Sequence, residues 1–201
     1  MLEFDESGHV YRWNGGIVPS VTGIIAPLSG GFFERVKPDV LERARQEGVA
    51  MHKTVELDCR GELDVDNLPD WLVPRYKAWR KFVAETGFEL WASEQKVYNA
   101  HYGYAGTFDL AGVMTKLKRA PREAIIDIKR TLTGAPAVGV QLAGYLDSWN
   151  RKEPKERRAS RRFGLQLMST GEYRAPEFSN GEDFHAFLAC LTLQRWKEKN
   201  Q

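Results

Sequence analysis

Two carboxylates and an amine stand out against apolar surroundings. The segment Ala124-Ile125-Ile126-Asp127-Ile128-Lys129 has the composition of a buried central strand, with apolar residues at four of its six positions. Side chains alternate along a strand, so Asp127 and Lys129, two apart, face the same way. An unpaired charge there would cost several kcal/mol, a large fraction of a domain's net stability. Each therefore needs a partner, either the other residue in a structural ion pair or a third group shared by both. Tyr104-Ala105-Gly106-Thr107-Phe108-Asp109-Leu110-Ala111-Gly112 sets a third charge, Asp109, in another apolar run. On adjacent strands the two carboxylates repel unless a hard divalent ion lies between them, and oxygen ligands suit Mg²⁺ or Mn²⁺. Lys129 would then stand beside the metal, placed to hold or help deprotonate an attacking water. The alternative for Asp109 is a solvated residue at a hairpin end.

The elements that must position these groups follow from periodicity. The N-terminal alternation through Phe4, Val10, Tyr11 and Trp13, closed by Asn14-Gly15-Gly16, predicts a small hairpin or meander. Pro19-Ser20-Val21-Thr22 before Ile24 and Ile25 predicts a short helix with Ser20 or Thr22 near its N-cap, ending by Gly30-Gly31. A longer helix is expected from about Pro38 to Asp58, with Leu41, Ala44, Gly48, His52 and Val55 on one face, and another from about Asp70 to Thr86. After Gly87 the pattern turns to strands, over Phe88 to Tyr98, Tyr104 to Met114 and Ala124 to Lys129. A helix from about Ala137 to Trp149, a strand pair around Phe163 to Met168 and Glu172 to Ala175, and a helix from Asp183 to Lys197 complete the chain. This order predicts an α/β (α+β) fold with a central mixed sheet flanked by helices and an N-terminal helical segment.

Bulk properties narrow the setting. A chain of 201 residues with 42% hydrophobic content is expected to form a single domain over residues 1–201. Its 29 basic and 27 acidic residues nearly cancel, so attraction to a polyanion must come from local patches. Two cysteines, Cys59 and Cys190, are too few for a disulfide framework or an iron-sulfur cluster. There is no leader-like start and no apolar stretch of about 20 residues, so a cytoplasmic protein away from membranes is expected.

Taken in order, Gly106-Thr107-Phe108-Asp109, Asp127-Ile128-Lys129 and Gln141-Leu142-Ala143-Gly144-Tyr145 resemble the RecB-like branch of the PD-(D/E)XK nuclease superfamily, in its phage-type and mitochondrial-maintenance form. Asp-X-Lys alone says little, but the ordered set on strand, strand and helix is specific. The resemblance implies a restriction-endonuclease-like core and a metal-dependent DNA exonuclease serving recombination, repair or DNA processing. It implies catalytic roles for Asp109, Asp127, Lys129, Gln141 and Tyr145. The metal, one or two Mg²⁺ or Mn²⁺ ions, would be held by His52, Asp109, Asp127 and the Ile128 carbonyl. Glu94 is a further candidate ligand, or else a solvated strand residue. Gly48-Val49-Ala50-Met51-His52 matches the family's upstream histidine, although a histidine on an apolar face also serves as a hydrogen-bonded core residue. Pro19-Ser20-Val21-Thr22 resembles a segment lying near DNA phosphate in relatives, and the same residues suit a helix cap.

DNA contacts are expected at Ser20, Thr22, Arg43, Arg45, Arg130 and Thr131. Rival cationic tracks are the run from Arg151 to Arg158 with Arg161 and Arg162, and the loop of Lys116, Lys118, Arg119 and Arg122; such runs are usually solvated. Phe32 and Phe33 are a wedge for a strand end or simply core residues. Asp127 stands where many relatives carry glutamate. The cysteine cluster of the iron-sulfur relatives is missing, and so is a G-x-x-x-x-G-K-[ST] loop, so neither that cofactor nor an ATP-driven motor is expected. DNA ends are the expected partner, with a strand-annealing or single-strand-binding protein implied by the family. A structure-selective endonuclease and a non-catalytic DNA-binding module on the same fold are the competing readings.

Overall fold

The computed structural model describes residues 1–6, 8–29, 37–117, 121–132 and 137–200. Its N-terminus is a three-stranded antiparallel sheet of β1 (Leu2–Asp5), β2 (Val10–Trp13) and β3 (Gly16–Val18). Trp13 pairs with Gly16, and Asn14 and Gly15 between them take φ of 50° and 83°, the two-residue turn that asparagine-glycine favours. Ser20 then caps α1 (Val21–Ile24), its hydroxyl accepting the Gly23 N–H at 3.0 Å, and a 3-10 turn over Ala26–Ser29 follows. The expected end at Gly30-Gly31, and Phe32 and Phe33 after it, lie outside the described residues.

Helix α2 (Pro38–Arg60) starts on a proline at its first position and stops at Gly61, whose φ of 71° lets the chain leave the helix. Helix α3 (Val73–Thr86) begins a little later than Asp70, on Val73-Pro74. Then come β4 (Phe88–Asn99), β5 (Tyr104–Met114), β6 (Arg122–Ile128), α4 (Ala137–Lys152), β7 (Arg161–Leu167), β8 (Tyr173–Arg174) and α5 (Asp183–Asn200). The five strands form one mixed sheet in the order β4-β5-β6-β7-β8. The first three are antiparallel, α4 carries the chain over to a parallel β7, and β8 returns antiparallel.

Helices cover both faces of this sheet. On one side α4 and α5 enclose a core with Phe108, Ile125, Tyr145, Trp149 and Phe187. On the other, α2 and α3 enclose Met51, Trp79, Phe82, Leu110, Ile126 and Leu165. The continuous apolar run of β6 now has its cause, since Ile125 and Ile126 point into different cores. On α2 the fully buried residues are Met51, Thr54 and Val55, while Leu41 and Ala44 are half-buried. Gly48 permits no close approach on that face, since a Cβ there would meet nothing within 4 Å. Among the described residues no helix is long and apolar enough to cross a membrane.

Candidate metal and catalytic centre

The sheet loses its regularity at Asp109. In the β4–β5 ladder Ser93 pairs with Leu110 and Gln95 with Phe108, which sets Glu94 opposite Asp109. The β5–β6 ladder ends at Leu110 with Ile126, and the same register continued by one residue sets Asp109 beside Asp127. Phe108 joins the α4–α5 core and Leu110 the α2–α3 core, so the strict alternation of β5 breaks between them. Three carboxylates thus share one row across three adjacent strands, where like charges repel. Asp109 and Asp127 are only 7% and 3% exposed.

Helix α2 brings a counter-charge. His52 Nδ1 lies 3.2 Å from Asp109 Oδ1 and 3.8 Å from Glu94 Oε1. His52, Glu94 and Asp109 each offer a ligand atom, all within 4.8 Å of one another. Burial opposes charge on the imidazole, but Asp109, Glu94 and Asp127 overcome it and push the His52 pKa up to about 11. The row therefore demands a cation, and imidazolium meets that demand here. Glu94 adopts a φ of 46°, in the left-handed region that a non-glycine residue occupies at a cost of about 1–2 kcal/mol. From the sequence Glu94 is only a further candidate ligand; the fold gives it a place in the tightest cluster and a strained backbone.

Asp127 and Lys129 form the second half of the centre. Lys129 Nζ stands 2.6 Å from Asp127 Oδ2, close enough for an ion pair. That ammonium offsets part of the cost of burying the Asp127 carboxylate. Burial, together with Asp109, raises the Asp127 pKa to about 6 against the opposing pull of Lys129. Asp109 goes the other way: burial would raise it, but His52, Lys129 and the Ile128 N–H hold it below the usual carboxylate range. That N–H donates to Asp109 Oδ2 at 2.5 Å, which fixes the Ile128 peptide beside the row. Lys129 lies one residue past β6, its N–H still bound to Leu165 O at 2.8 Å. The lysine's own pKa is raised, since Asp127 and Asp109 outweigh its burial.

Helix α4 closes the centre. Gln141 Nε2 donates to Tyr145 Oη at 3.2 Å, and both residues are buried. Burial and the nearby Asp127 carboxylate drive the Tyr145 phenol well above its ordinary pKa. Gly106 makes room for this ring, because a Cβ there would fall 2.7 Å from Tyr145 Cε1. One participant is invisible to motif reasoning. Tyr11 of β2 is 2% exposed and its hydroxyl lies 2.8 Å from Thr107 Oγ1, two residues before Asp109. Its place as an inward residue in an alternating strand is the one signal the sequence carries for it; the contact spans 96 positions of chain.

The expected DNA contacts are dispersed. Ser20 spends its hydroxyl on the α1 cap and also lies 3.3 Å from the Thr22 hydroxyl. Arg43 is exposed on α2, whereas Arg45 is tied to Glu42 at 2.8 Å. Arg130 reaches back to Glu47 of α2 at 3.2 Å, and Thr131 follows it with partners of its own. Lys118 and Arg119 lie outside the described residues, Lys116 donates to Ala84 O, and Arg122 pairs with Glu177. In the long basic run Arg162 is corrected from a DNA-track candidate to a buried structural cation: it donates to Asp183, Gly139 O and Asn180 O. Compared with known proteins, the chain matches no family model and no curated sequence.

Proposed function

We propose that this chain is a metal-dependent DNA exonuclease with a restriction-endonuclease-like core. The observation that carries the reading is the row Glu94, Asp109, Asp127 flanked by His52 and Lys129, three carboxylates against two cations in one largely buried cluster. The donors suit a hard divalent cation: carboxylate oxygens with one imidazole nitrogen, a mixture Mn²⁺ accepts as readily as Mg²⁺. The order of helices, three antiparallel strands, crossover helix and parallel strand agrees with the fold that the resemblance implies.

His52, Asp109 and Asp127, with Glu94, would hold the ion. When bound, a divalent ion there polarises a phosphate oxygen and lowers the pKa of a water molecule. Lys129, held as an ammonium by Asp127 and Asp109, would orient a water molecule for in-line attack on phosphorus. Tyr145 stays a neutral phenol and, with Gln141, lines the side of the centre under α4.

The test is degradation of end-labelled linear DNA, single- and double-stranded, beside a covalently closed circle, with Mg²⁺, Mn²⁺ or a chelator. Linear DNA should disappear only with metal, the circle should survive, and Lys129→Ala should slow the reaction at least a hundredfold. Cleavage of closed circles would replace the exonuclease by an endonuclease, and inert DNA under every condition would remove the enzymatic reading.

A further inference from the structure

A cleft of about 1280 Å³ lies beside the metal cluster rather than over it. Two strands connect them. Tyr11 and Trp13 alternate on β2 and so project from one side of it. Tyr11 reaches Thr107 next to the carboxylate row, and Trp13 stacks on Tyr98 with ring centroids 4.1 Å apart and planes at 14°. On β4, Tyr98 follows Glu94 by four residues, roughly 13 Å at about 3.3 Å per residue. The cleft therefore begins a short step from the candidate centre.

Its lining has a definite chemistry. Tyr98 covers one face of the Trp13 indole, yet 36% of Trp13 stays exposed, which leaves a ring for another planar group. Six cationic side chains line the cleft against two carboxylates, Asp147 and Glu177. Arg151 and Arg161 pair with those two, and Arg162 pairs with Asp183. Among the described residues no carboxylate pairs with the other three, Lys96, Lys152 and Arg158. An exposed indole beside cations that no carboxylate neutralises suits a ligand with both planar rings and spaced negative charges. The volume exceeds the range of about 300–1,000 Å³ usual for a small molecule, so a polymer segment fits better than a single nucleotide. A duplex keeps its base faces stacked inside and offers phosphates alone, whereas an unpaired strand offers both.

We infer that this cleft holds a single DNA strand, with a base against Trp13 and phosphates against Lys96, Lys152 and Arg158. The strand's continuation into the metal cluster rests on the nuclease reading; the binding itself does not. The inference predicts that the protein prefers unpaired DNA, and that this preference survives removal of the metal.

The experiment is fluorescence anisotropy with a labelled thymidine oligonucleotide of about 12 residues, within the site sizes usual for single-strand binders, and a blunt duplex of equal length, all in chelator. Trp13→Ala should weaken single-strand binding about tenfold or more, with little effect on the duplex. Trp13→Phe, which keeps a ring, should recover most of it and serves if the alanine variant misfolds. Lys152→Ala with Arg158→Ala should flatten the slope of log affinity against log salt by about 1.4, which is about 0.7 for each phosphate no longer neutralised. Single-strand binding unchanged in both variants, or a duplex bound as well as the single strand, would overturn the cleft. DNA inert to metal with these binding losses intact would instead remove the nuclease reading and leave the cleft standing.

Discussion

Among the described residues charge is buried at two places, and they are built differently. At the first, Arg162 of β7 meets Asp183 of α5 at 2.9 Å, and its remaining donors reach Gly139 O and Asn180 O. Gly139 lets the carboxylate close in, since a Cβ there would fall 2.6 Å from Asp183 Oδ2. One cation faces one anion, with the guanidinium saturated by carbonyls. At the second, Glu94, Asp109 and Asp127 crowd around His52 and Lys129, three carboxylates against two cations, and Glu94 sits on strained backbone. The first arrangement is complete in the protein alone and ties β7, α4 and α5 together. The second has surplus acceptors and stored strain, which a fold tolerates where something else is meant to bind. Satisfaction, rather than burial, separates a structural ion pair from a candidate site.

The comparison breaks if the two places respond alike to substitution. Asp183→Ala strands the buried Arg162 charge and should cost about 3–5 kcal/mol, which at about 2–4 °C per kcal/mol lowers the melting temperature by about 10 °C or more. Asp127→Asn should abolish cleavage while leaving the melting temperature of the metal-free protein unchanged or higher, because it relieves repulsion within the row. Thermal melts of both variants decide it; an unfolded Asp127→Asn beside an intact Asp183→Ala would invert the assignment.

Metal should discriminate next. Mn²⁺ at about a hundred times its dissociation constant should stabilise the native protein by about 2.7 kcal/mol. The gain should vanish in Asp109→Asn and persist in a variant of the Arg162 pair mild enough to stay folded, such as Asp183→Asn. Equal shifts in all three would show the ion bound elsewhere.

An effect of at least comparable size follows from protons. The folded pKa of Asp127, about 6, lies above its ordinary 3.8, so the fold binds the proton more tightly than the unfolded chain. Its stabilising contribution is full below pH 3.8 and is lost as pH rises through about 6, a change of about 2–3 kcal/mol. His52, raised to about 11, contributes below pH 6.5 and loses that contribution as pH climbs toward 11. Asp109, lowered, loses its own contribution only below 3.8, outside both windows. Denaturant melts in chelator, native minus Asp127→Asn, should show the slope between about pH 4 and 6, and a flat difference would remove this account of the row. The smallest effect is backbone relief: Glu94→Gly should stabilise the metal-free protein by up to about 1 kcal/mol and reduce the Mn²⁺ shift. A destabilised variant would mean that the strain is not real.

Much of the frame is legible in the chain. The Asn14-Gly15 turn, the Ser20 cap, the glycine stop after α2 and the three strands from Phe88 onward carry local signals, since each depends on residues within a turn or a strand of one another. Boundaries drift where local preference is weak: α3 starts at Val73, and α2 buries Met51, Thr54 and Val55 instead of the full face that spacing suggests. Asp127 and Lys129 are readable as a pair because alternation along one strand is a local rule.

What the sequence determined by itself, then, was that charged side chains had to be accommodated on apolar strands, and which elements would carry them. Tertiary structure decided which of them meet. The register of β4 and β5 brought Glu94 opposite Asp109, the packing of α2 delivered His52, and the N-terminal sheet supplied Tyr11. It also turned Arg162 from a cation in a basic run into a buried lock. The physical reason is one of range: propensity and periodicity act over a few residues, whereas repulsion, desolvation and hydrogen bonding act between whatever groups the folded chain sets side by side.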